Sequence, residues 1–152
     1  MRWIGMTIAT LALCASGAMG AVGNEAGEAA QKYRHSLFQS IVWNFKPMSE
    51  MARGKRAFDA AEVKRRALTV SYLSLLLQEA FPEGSGASAG TTDALDLIWT
   101  NPSDFAEKLK TLQIESNALR KVAELGDQVS FNEQFRKLGA ACKGCHDKYK
   151  AD

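Results

Sequence analysis

A pair of cysteines followed by a histidine, in the segment Cys142-Lys143-Gly144-Cys145-His146, is the part of the sequence with the clearest chemistry. The spacing C-x-x-C-H is typical of covalent attachment of a c-type haem. In that attachment each cysteine thiol adds to one vinyl group of the porphyrin, and the histidine becomes an axial ligand of the iron. The motif therefore predicts one haem c, held by thioethers at Cys142 and Cys145, with His146 as the iron ligand.

Three other uses of these cysteines fit the sequence less well. A structural zinc site needs four ligands, and beyond the motif the mature chain adds only the distant His35. A thioredoxin-like redox pair is expected at the start of a helix in an α/β fold, whereas this motif ends a helical sequence. A simple disulfide leaves the adjacent histidine unexplained.

The first 20 residues have the composition of an export signal. Arg2 is the only charged residue among them, and the others are mostly apolar or small. One positive charge, a short apolar centre and small residues at a cleavage site describe a secretory signal peptide. Ala18 and Gly20 suit the cleavage site, so we expect a signal peptide over 1–20 and a mature domain over 21–152.

Two alternatives to a cleaved signal peptide stay open. The uncharged stretch approaches the about 20 residues that a membrane anchor needs, although its second half is only weakly apolar. A lipoprotein site at Cys14 has a large residue, Leu13, where a small one is expected. Export agrees with a haem c, because haem is attached covalently on the outer side of the bacterial inner membrane. The predicted location is therefore the periplasm.

Composition and charge exclude several classes of protein. Of the 152 residues 46% are hydrophobic and 24% charged, which excludes collagen-like, low-complexity and charge-driven disordered chains. The 19 Lys and Arg against 17 Asp and Glu leave a charge of +2, so we expect no nucleic-acid partner. No nucleophile–base pair or carboxylate pair stands out, and we therefore predict that the protein is not an enzyme.

Hydrophobic periodicity predicts four amphipathic helices and no strand. They cover 24–45, 59–81, 103–126 and the segment from residue 130 through the haem motif. A glycine-rich loop over 84–90 and a short apolar piece over 95–99 separate the second helix from the third. Four such helices in one short chain indicate an all-α, antiparallel four-helix bundle with one covalently bound haem.

Single residues predict where these helices begin and end. Pro47 is expected to break or bend the first helix, because its ring removes a backbone donor. Asp59 with Glu62, and Ser130 with Glu133, each place a capping residue three positions before a glutamate, which is the capping-box pattern. The expected N-caps are therefore Asp59 and Ser130.

Together, these features resemble the class II c-type cytochromes, and within them cytochrome c′, a family of four-helix bundles with the haem motif near the C-terminus. The resemblance covers nearly the whole mature chain. Short matches occur in the expected order and spacing at Tyr33-Arg34, Asn44-Phe45, Met48, Gly54-Lys55, Phe58 to Ala61, Phe81-Pro82, Ile98-Trp99 and Gly139 to Cys142.

The resemblance implies which side chain lies at the sixth coordination position of the iron. In this family it comes from the first helix, five residues after the tyrosine that corresponds to Tyr33, which gives Phe38. Low-spin relatives have methionine there and carry electrons. Because phenylalanine cannot bind iron, the resemblance implies a five-coordinate, high-spin haem whose apolar distal face admits NO or CO when the ring moves aside. Phe38 as a simple core residue is compatible with this role.

Two neighbours of Phe38 have implied places at the haem edge. The family's arginine after the tyrosine, here Arg34, lies near a haem propionate, and a solvated arginine without a special role is the alternative. His35 stands where relatives often have glutamine, and we expect it at the haem edge or surface, with iron ligation as the alternative. Lys150 follows His146 by four residues, where many relatives have arginine, which is not equivalent to lysine.

The function that the resemblance implies is that of a periplasmic cytochrome that transfers electrons, binds NO or CO, or does both. One alternative is a six-coordinate, low-spin electron carrier in which His35 or a methionine completes the coordination. Another is a helical binding module whose cysteines form only a disulfide. We expect Met48 and Met51 to be packing residues rather than ligands.

Homodimers through the first two helices are common among the relatives that the chain resembles. Trp43, on the polar side of the first helix, could take part in such an interface. The redox partner protein is not identified by the sequence. No stable membrane association is expected once the signal peptide is removed.

Overall fold

The computed structural model describes residues 18–151, with side chains from residue 25 onward. Within that range the chain forms five α-helices and no strand, in agreement with the predicted all-α bundle. The helices are α1 (Ala18–Ala52), α2 (Ala60–Leu76), α3 (Leu97–Thr100), α4 (Pro102–Ala123) and α5 (Gln128–Tyr149), with 3-10 turns at Leu77–Glu79 and Ala87–Ala89. The four long helices form the bundle, and the short α3 belongs to the α2–α4 connection.

The predicted signal peptide falls mostly outside the described residues. Only residues 18–20 of the predicted 1–20 segment are described, and they belong to α1. Among the helices in the described range, none has both the length and the apolar character required for a membrane span. The division of the chain at residue 20 therefore stays a prediction.

The packing of the bundle is uneven between its helix pairs. Helix α4 packs along both α2 and α5, and α1 packs along α2, whereas α1 and α5 touch each other only over a short stretch. An antiparallel bundle buries a continuous core where all four helices converge. At one end of the bundle α1 and α5 are separated, which leaves room between them.

One end of the bundle is filled by a tightly packed apolar core, which we call the closed end. Its buried members are Met48, Met51, Val63, Ala67, Val70, Leu119, Ala123, Phe131, Phe135 and Leu138. The Phe45 and Phe135 rings stack with centroids 4.5 Å apart, and Phe131 lies 5.5 Å from Phe135. Met48 and Met51 have no exposed surface, which agrees with their predicted role in packing.

Helix α1 continues through Pro47, so the predicted end of the first helix at Phe45 is wrong. A proline lacks the backbone N–H that would bond to the carbonyl four residues earlier, which is that of Trp43. The Arg66 guanidinium on α2 donates to this carbonyl oxygen at 3.2 Å and replaces the missing donor. The helix ends only near Gly54, whose φ of 68° suits a residue without a side chain.

The cap of α2 follows only half of the predicted pattern. The Asp59 carboxylate accepts a hydrogen bond from the Glu62 N–H at 2.9 Å, as predicted. The return bond is absent because the Glu62 carboxylate is bound by Arg56 at 2.6 Å and by Arg66 at 2.7 Å. The Asp59 N–H donates instead to the Met51 sulfur at 3.5 Å.

Helix α5 begins two residues before its predicted cap. Asp127 is the N-cap, and its carboxylate accepts a hydrogen bond from the Ser130 N–H at 2.8 Å. The predicted cap at Ser130 is therefore wrong, and Ser130 lies in the first turn. Its backbone N–H is one of the donors that a helix start leaves free, and the aspartate satisfies it.

Candidate haem site

A cavity of about 530 Å³ opens between α1 and α5 at the end of the bundle opposite the closed end. Its volume lies within the about 300–1,000 Å³ range of small-molecule and cofactor sites. Helix α1 supplies one wall, α5 and the start of α4 supply another, and the segment 91–94 forms part of the rim. The cavity is thus the place where a large flat group could enter between the two separated helices.

Four aromatic rings in edge-to-face contact line this cavity: Phe38, Phe81, Phe105 and Tyr149. The ring centroids are 6.4 Å apart for Phe38 and Phe81, 4.8 Å for Phe81 and Phe105, and 5.1 Å for Phe105 and Tyr149. Edge-to-face geometry at these distances is favourable for aromatic pairs. Together with the buried residues Leu37, Leu77, Ala80, Ile98 and Leu109, the rings form the apolar cluster of the cavity end.

The C-x-x-C-H motif lies in the last two turns of α5, beside the cavity. Cys145 and His146 line it directly, while Cys142, one turn earlier, packs against the closed-end core. Both cysteines are free thiols. Burial is the main cause that raises the pKa of Cys142 to about 11 and also raises the pKa of Cys145. The two thiols are therefore neutral in the absence of a bound group.

His146 has the protonation state that metal binding requires. Partial burial, reinforced by the charge of Lys150 and opposed by Asp147, lowers the pKa of His146 below 6.5. At neutral pH the imidazole is consequently uncharged, and a ring nitrogen is free to bind a metal ion. In the described part of the chain no group of three or more His, Cys, Asp or Glu side chains is placed to hold a metal ion.

The α1 wall carries the other three predicted site residues. Arg34, His35 and Phe38 all line the cavity. Phe38 is half-buried and offers no ligand atom. The His35 side chain is exposed at the cavity margin, where its Nε2 lies 3.5 Å from the Gln39 amide nitrogen. The structure thus brings the predicted α1 and α5 residues to one cavity, with Cys142 just behind its wall.

Arg34 is buried, with only 4% of its surface exposed, and the solvated alternative is wrong. Its guanidinium donates to the Ala80 carbonyl at 3.1 Å, to the Ser85 hydroxyl and carbonyl at 3.2 and 3.0 Å, and to the Thr92 hydroxyl at 2.9 Å. It also lies 4.8 Å from the centre of the Phe81 ring. All these partners are uncharged, and burial lowers the pKa of Arg34.

Arg34 is one of the α1 residues that hold the 82–92 loop against this helix. These contacts were not predicted from the sequence. Gln31, one turn earlier, donates to the Gly86 carbonyl at 2.7 Å. One turn earlier again, a Cβ on Gly27 would collide with the Gly84 carbonyl oxygen, so only glycine permits this approach. The sequence does place Gly27, Gln31 and Arg34 on one face of the first helix, but this spacing does not identify the loop that they contact.

A second group that was not predicted lies at the end of α5. The Tyr149 hydroxyl donates to the carboxylate of Asp104 on α4, and Lys148 contacts the same oxygen at 2.8 Å. Beyond the helix, Lys150 lies 3.4 Å from the Asp93 carboxylate and pairs through its backbone with Ala94. These contacts fasten the C-terminal turn, and with it the motif, to the cavity rim.

The residues around the cavity fit a covalently bound haem. Two thiols and a neutral imidazole occur on adjacent turns of one helix, which is the donor set of a c-type haem. Aromatic side chains supply an apolar wall for a porphyrin, and the buried cation of Arg34 lies at the polar margin, where a carboxylate could reach it. The chemistry of the donors and the shape of the cavity therefore agree.

Comparisons with known proteins identify the same family over most of the chain. A family model described as Cytochrome C' matches residues 29–150. Cytochrome c' of Alcaligenes xylosoxydans xylosoxydans is 33% identical over 123 residues, covering 81% of this chain and 94% of that protein. Cytochrome c-554 of Cereibacter sphaeroides is 34% identical over 119 residues, covering 77% of each protein.

Solved structures support the same assignment. Cytochrome c prime from Shewanella frigidimarina superposes with a TM-score of 0.79 at 40% identity, covering 83% of this chain and 97% of that one. The nitric oxide complex of a variant of cytochrome c prime from Alcaligenes xylosoxidans gives a TM-score of 0.76 at 31% identity, with the same coverage of both chains. The chain therefore belongs to the cytochrome c′ family, which carries a covalently bound c-type haem.

Proposed function

We propose that this protein is a periplasmic cytochrome whose five-coordinate, high-spin haem binds NO or CO and also accepts and donates electrons. When bound, the haem iron supplies the gas-binding and redox chemistry. The observation that carries the proposal is Phe38, a side chain without a ligand atom on the α1 wall of the cavity that His146 lines from α5.

In this proposal the motif residues hold the haem. Cys142 and Cys145 form the thioethers, and the neutral imidazole of His146 binds the iron. All three lie within two turns of α5, whose end is fastened by the contacts of Tyr149 and Lys148 to Asp104. A ligand on a fastened helix keeps its orientation, which favours one iron geometry over others.

Phe38 controls entry to the distal side. Its ring packs edge to face on Phe81, within the apolar cluster of the cavity end, so it can move only if this contact rearranges. The ring offers no hydrogen-bond donor to a bound ligand. A site of this kind favours small, weakly polar gases, and a nitric oxide complex is known for a variant of the similar Alcaligenes protein.

Arg34 is the proposed partner of the anionic edge of the haem. A buried cation is costly unless it is both paired with an opposite charge and hydrogen-bonded, and the hydrogen-bond acceptors of Arg34 described above are all neutral. We propose that a haem propionate supplies the missing negative charge, with the Ser85 and Thr92 hydroxyls holding the guanidinium in place.

Gas binding is tested with substitutions at Phe38. Phe38→Ala removes the ring and is expected to accelerate CO binding to the ferrous protein by about tenfold or more, equivalent to about 1.4 kcal/mol of activation free energy. Phe38→Leu is the matched control, since it keeps an apolar side chain and should change the rate less. Stopped-flow absorption measures both, and an unchanged rate in Phe38→Ala would contradict the gating role.

A second candidate function is electron transfer through a six-coordinate haem with His35 as the sixth ligand. It is favoured by one observation, that His35 lines the same cavity one turn before Phe38. His35→Ala distinguishes the two functions, because it would convert a low-spin haem to high-spin if His35 were a ligand. We expect the visible spectrum of this variant to be unchanged.

We also propose a homodimer through α1 and α2. These helices expose a group of large apolar side chains: Val42, Trp43, Leu68, Tyr72, Leu75 and Leu76. Trp43 is 76% exposed, which is costly for an indole unless a partner covers it. Sedimentation of the holoprotein should give a dimer that Trp43→Glu dissociates, and a wild-type monomer would contradict the proposal.

Periplasmic location rests on the composition of residues 1–20 and on the haem motif. N-terminal sequencing of the exported protein should find a new terminus near residue 21. An intact N-terminus on membrane-bound protein would instead support the anchor.

A further inference from the structure

Tyr149 is a buried side chain whose phenol has no chemical role in the proposed gas binding. Only 2% of its surface is exposed, and it lines the same cavity as His146, three residues earlier on α5. Its ring packs edge to face against Phe105. A phenol in this position would lie close to a bound haem, and tyrosine is among the few side chains that can give up a single electron.

The hydroxyl of Tyr149 has a base in contact with it. It donates a hydrogen bond to the Asp104 carboxylate, and Lys148 contacts the same carboxylate oxygen at 2.8 Å. The hydrogen bonds from Lys148 first, and then from Tyr149, lower the pKa of Asp104, so the carboxylate is ionised at neutral pH and able to accept a proton. Burial raises the pKa of Tyr149, so the phenol is neutral and must release its proton when it is oxidised.

The other tyrosines of the described range and Trp99 lack this combination. Tyr33 also donates to a carboxylate, that of Glu79 at 2.7 Å, but it is exposed and does not line the cavity. Tyr72 is exposed on α2. Trp99 donates its indole N–H to the Phe81 and Pro82 carbonyls at 3.2 and 3.0 Å, which are poor proton acceptors, and it does not line the cavity.

We propose that Tyr149 gives one electron to the haem when the ferrous protein reduces hydrogen peroxide, and that Asp104 takes the proton of the phenol. This inference rests on the proposed haem site. It adds an activity of a different kind, the reduction of a small hydroperoxide in which a side chain supplies the second electron.

The step balances without a further reductant. Hydrogen peroxide takes up two electrons from the protein and two protons from solvent, its O–O bond breaks, and two water molecules form. One electron comes from the iron, which passes from ferrous to ferric, and the other comes from Tyr149. The phenol becomes a neutral tyrosyl radical, and its proton forms an O–H bond on Asp104. The haem therefore loses one electron instead of two.

Rapid-freeze electron paramagnetic resonance of the holoprotein tests the proposal. Anaerobic ferrous protein is mixed with one equivalent of hydrogen peroxide and frozen at successive times. We expect a tyrosyl radical that appears together with the ferric signal. Growth on ring-deuterated tyrosine should narrow the radical spectrum, which separates it from a tryptophan radical at Trp99.

Two conservative variants locate the radical. Tyr149→Phe keeps the ring against Phe105 and should lose the signal, whereas Tyr33→Phe removes the other tyrosine–carboxylate pair and should keep it. Asp104→Asn keeps a side-chain acceptor beside Tyr149 but removes the carboxylate that would take its proton, and it should reduce the radical yield.

The outcomes separate this inference from the proposed haem site. If the purified protein lacks covalent haem, the proposed function fails before peroxide is added. If haem is attached but wild type gives no tyrosyl radical, or Tyr149→Phe retains it, the role of Tyr149 is overturned. Should Tyr149→Phe not fold, Asp104→Asn decides, since an undiminished radical yield would refute the proton transfer.

Discussion

The two ends of the bundle are built from the same kinds of side chains but packed in opposite ways. At the closed end, Met48, Met51, Phe131 and Leu138 have no exposed surface, and rings stack directly across the helices. At the cavity end, Phe38 and its aromatic neighbours line about 530 Å³ of open space. Protein interiors are normally close-packed, so this apolar space marks where a cofactor completes the core.

The contrast separates what holds the fold from what performs the function. The closed end brings α1, α2, α4 and α5 together with side chains alone. The cavity end keeps α1 and α5 apart and places thiols, an imidazole and a buried cation around the gap. Substitutions at the two ends should therefore change different properties of the protein.

Loss of the covalent haem is the largest expected effect. Replacing Cys142 and Cys145 together by serine leaves no thiol to form thioethers. The cavity end therefore loses the porphyrin that completes its core. We expect no covalent haem by mass spectrometry of the denatured protein and a larger drop in Tm than a single core truncation causes. Lys143→Ala, an exposed change between them, should keep both the haem and the wild-type Tm. A stable, cooperatively folding double variant would contradict the claim that the haem completes the core.

The closed end should show the largest effect on stability of a single apolar truncation. Phe131→Ala removes a fully buried ring from the packed core and should lower the free energy of unfolding by about 3–5 kcal/mol. Denaturant unfolding of the holoprotein measures this loss, and the haem spectrum should stay unchanged. Phe38→Ala is the counterpart at the cavity end, and an equal loss of stability there would remove the distinction between the ends.

Loss of the ion pairs that Glu62 forms with Arg56 and Arg66 should have a smaller effect on stability, and this effect depends on pH. Hydrogen bonds from Arg66 first, and then from Arg56, lower the pKa of Glu62 below 4.5. Glu62→Gln weakens these charged hydrogen bonds and should cost about 1.5–3 kcal/mol at neutral pH. A carboxylate with a lowered pKa stabilises the fold above its ordinary pKa and loses that contribution as pH falls through the folded value.

The difference in stability between wild type and Glu62→Gln should consequently be constant near neutral pH and shrink below about pH 4.5. Urea unfolding over a pH series measures it. Lys64→Gln is the control, because Lys64 forms an exposed ion pair with Glu124 and should contribute little at any pH. A difference that grows toward acid pH would contradict the assignment.

The smallest predicted effect concerns the cap of α2. Asp59→Ala removes the acceptor for the Glu62 N–H and should cost about 1 kcal/mol. Asp59→Asn keeps a side-chain acceptor and should restore most of the loss. Thermal unfolding of the two variants checks this, and equal losses would show that the side-chain acceptor is not what stabilises the helix start.

Much of this architecture could be predicted because it depends on local patterns. Apolar spacing predicted the four long helices, and Asp59 was identified from its own position before a helix. The motif of Cys142, Cys145 and His146 needs only adjacent residues, so its place on the last helix was predictable. The features that depend on one stretch of chain were therefore mostly predicted.

The errors and omissions arise where the structure depends on contacts between residues that are far apart in the sequence. Pro47 does not end α1, because Arg66 from another helix supplies the missing donor. Arg34 could not be assigned to the interior from sequence, because its acceptors lie some 50 residues further along, in the Ala80 to Thr92 stretch. Asp104 and Tyr149 meet only because α4 packs on α5. No periodicity within one helix contains such information.

The central claim, that the cavity end holds a haem with an open distal position at Phe38, is tested most directly by optical and electron paramagnetic resonance spectra of the purified holoprotein. We predict a high-spin ferric signal, a broad Soret band and no sharp α band in the ferrous state. A low-spin ferric signal with a sharp ferrous α band would contradict the claim, since a side chain of the protein would then occupy the sixth position.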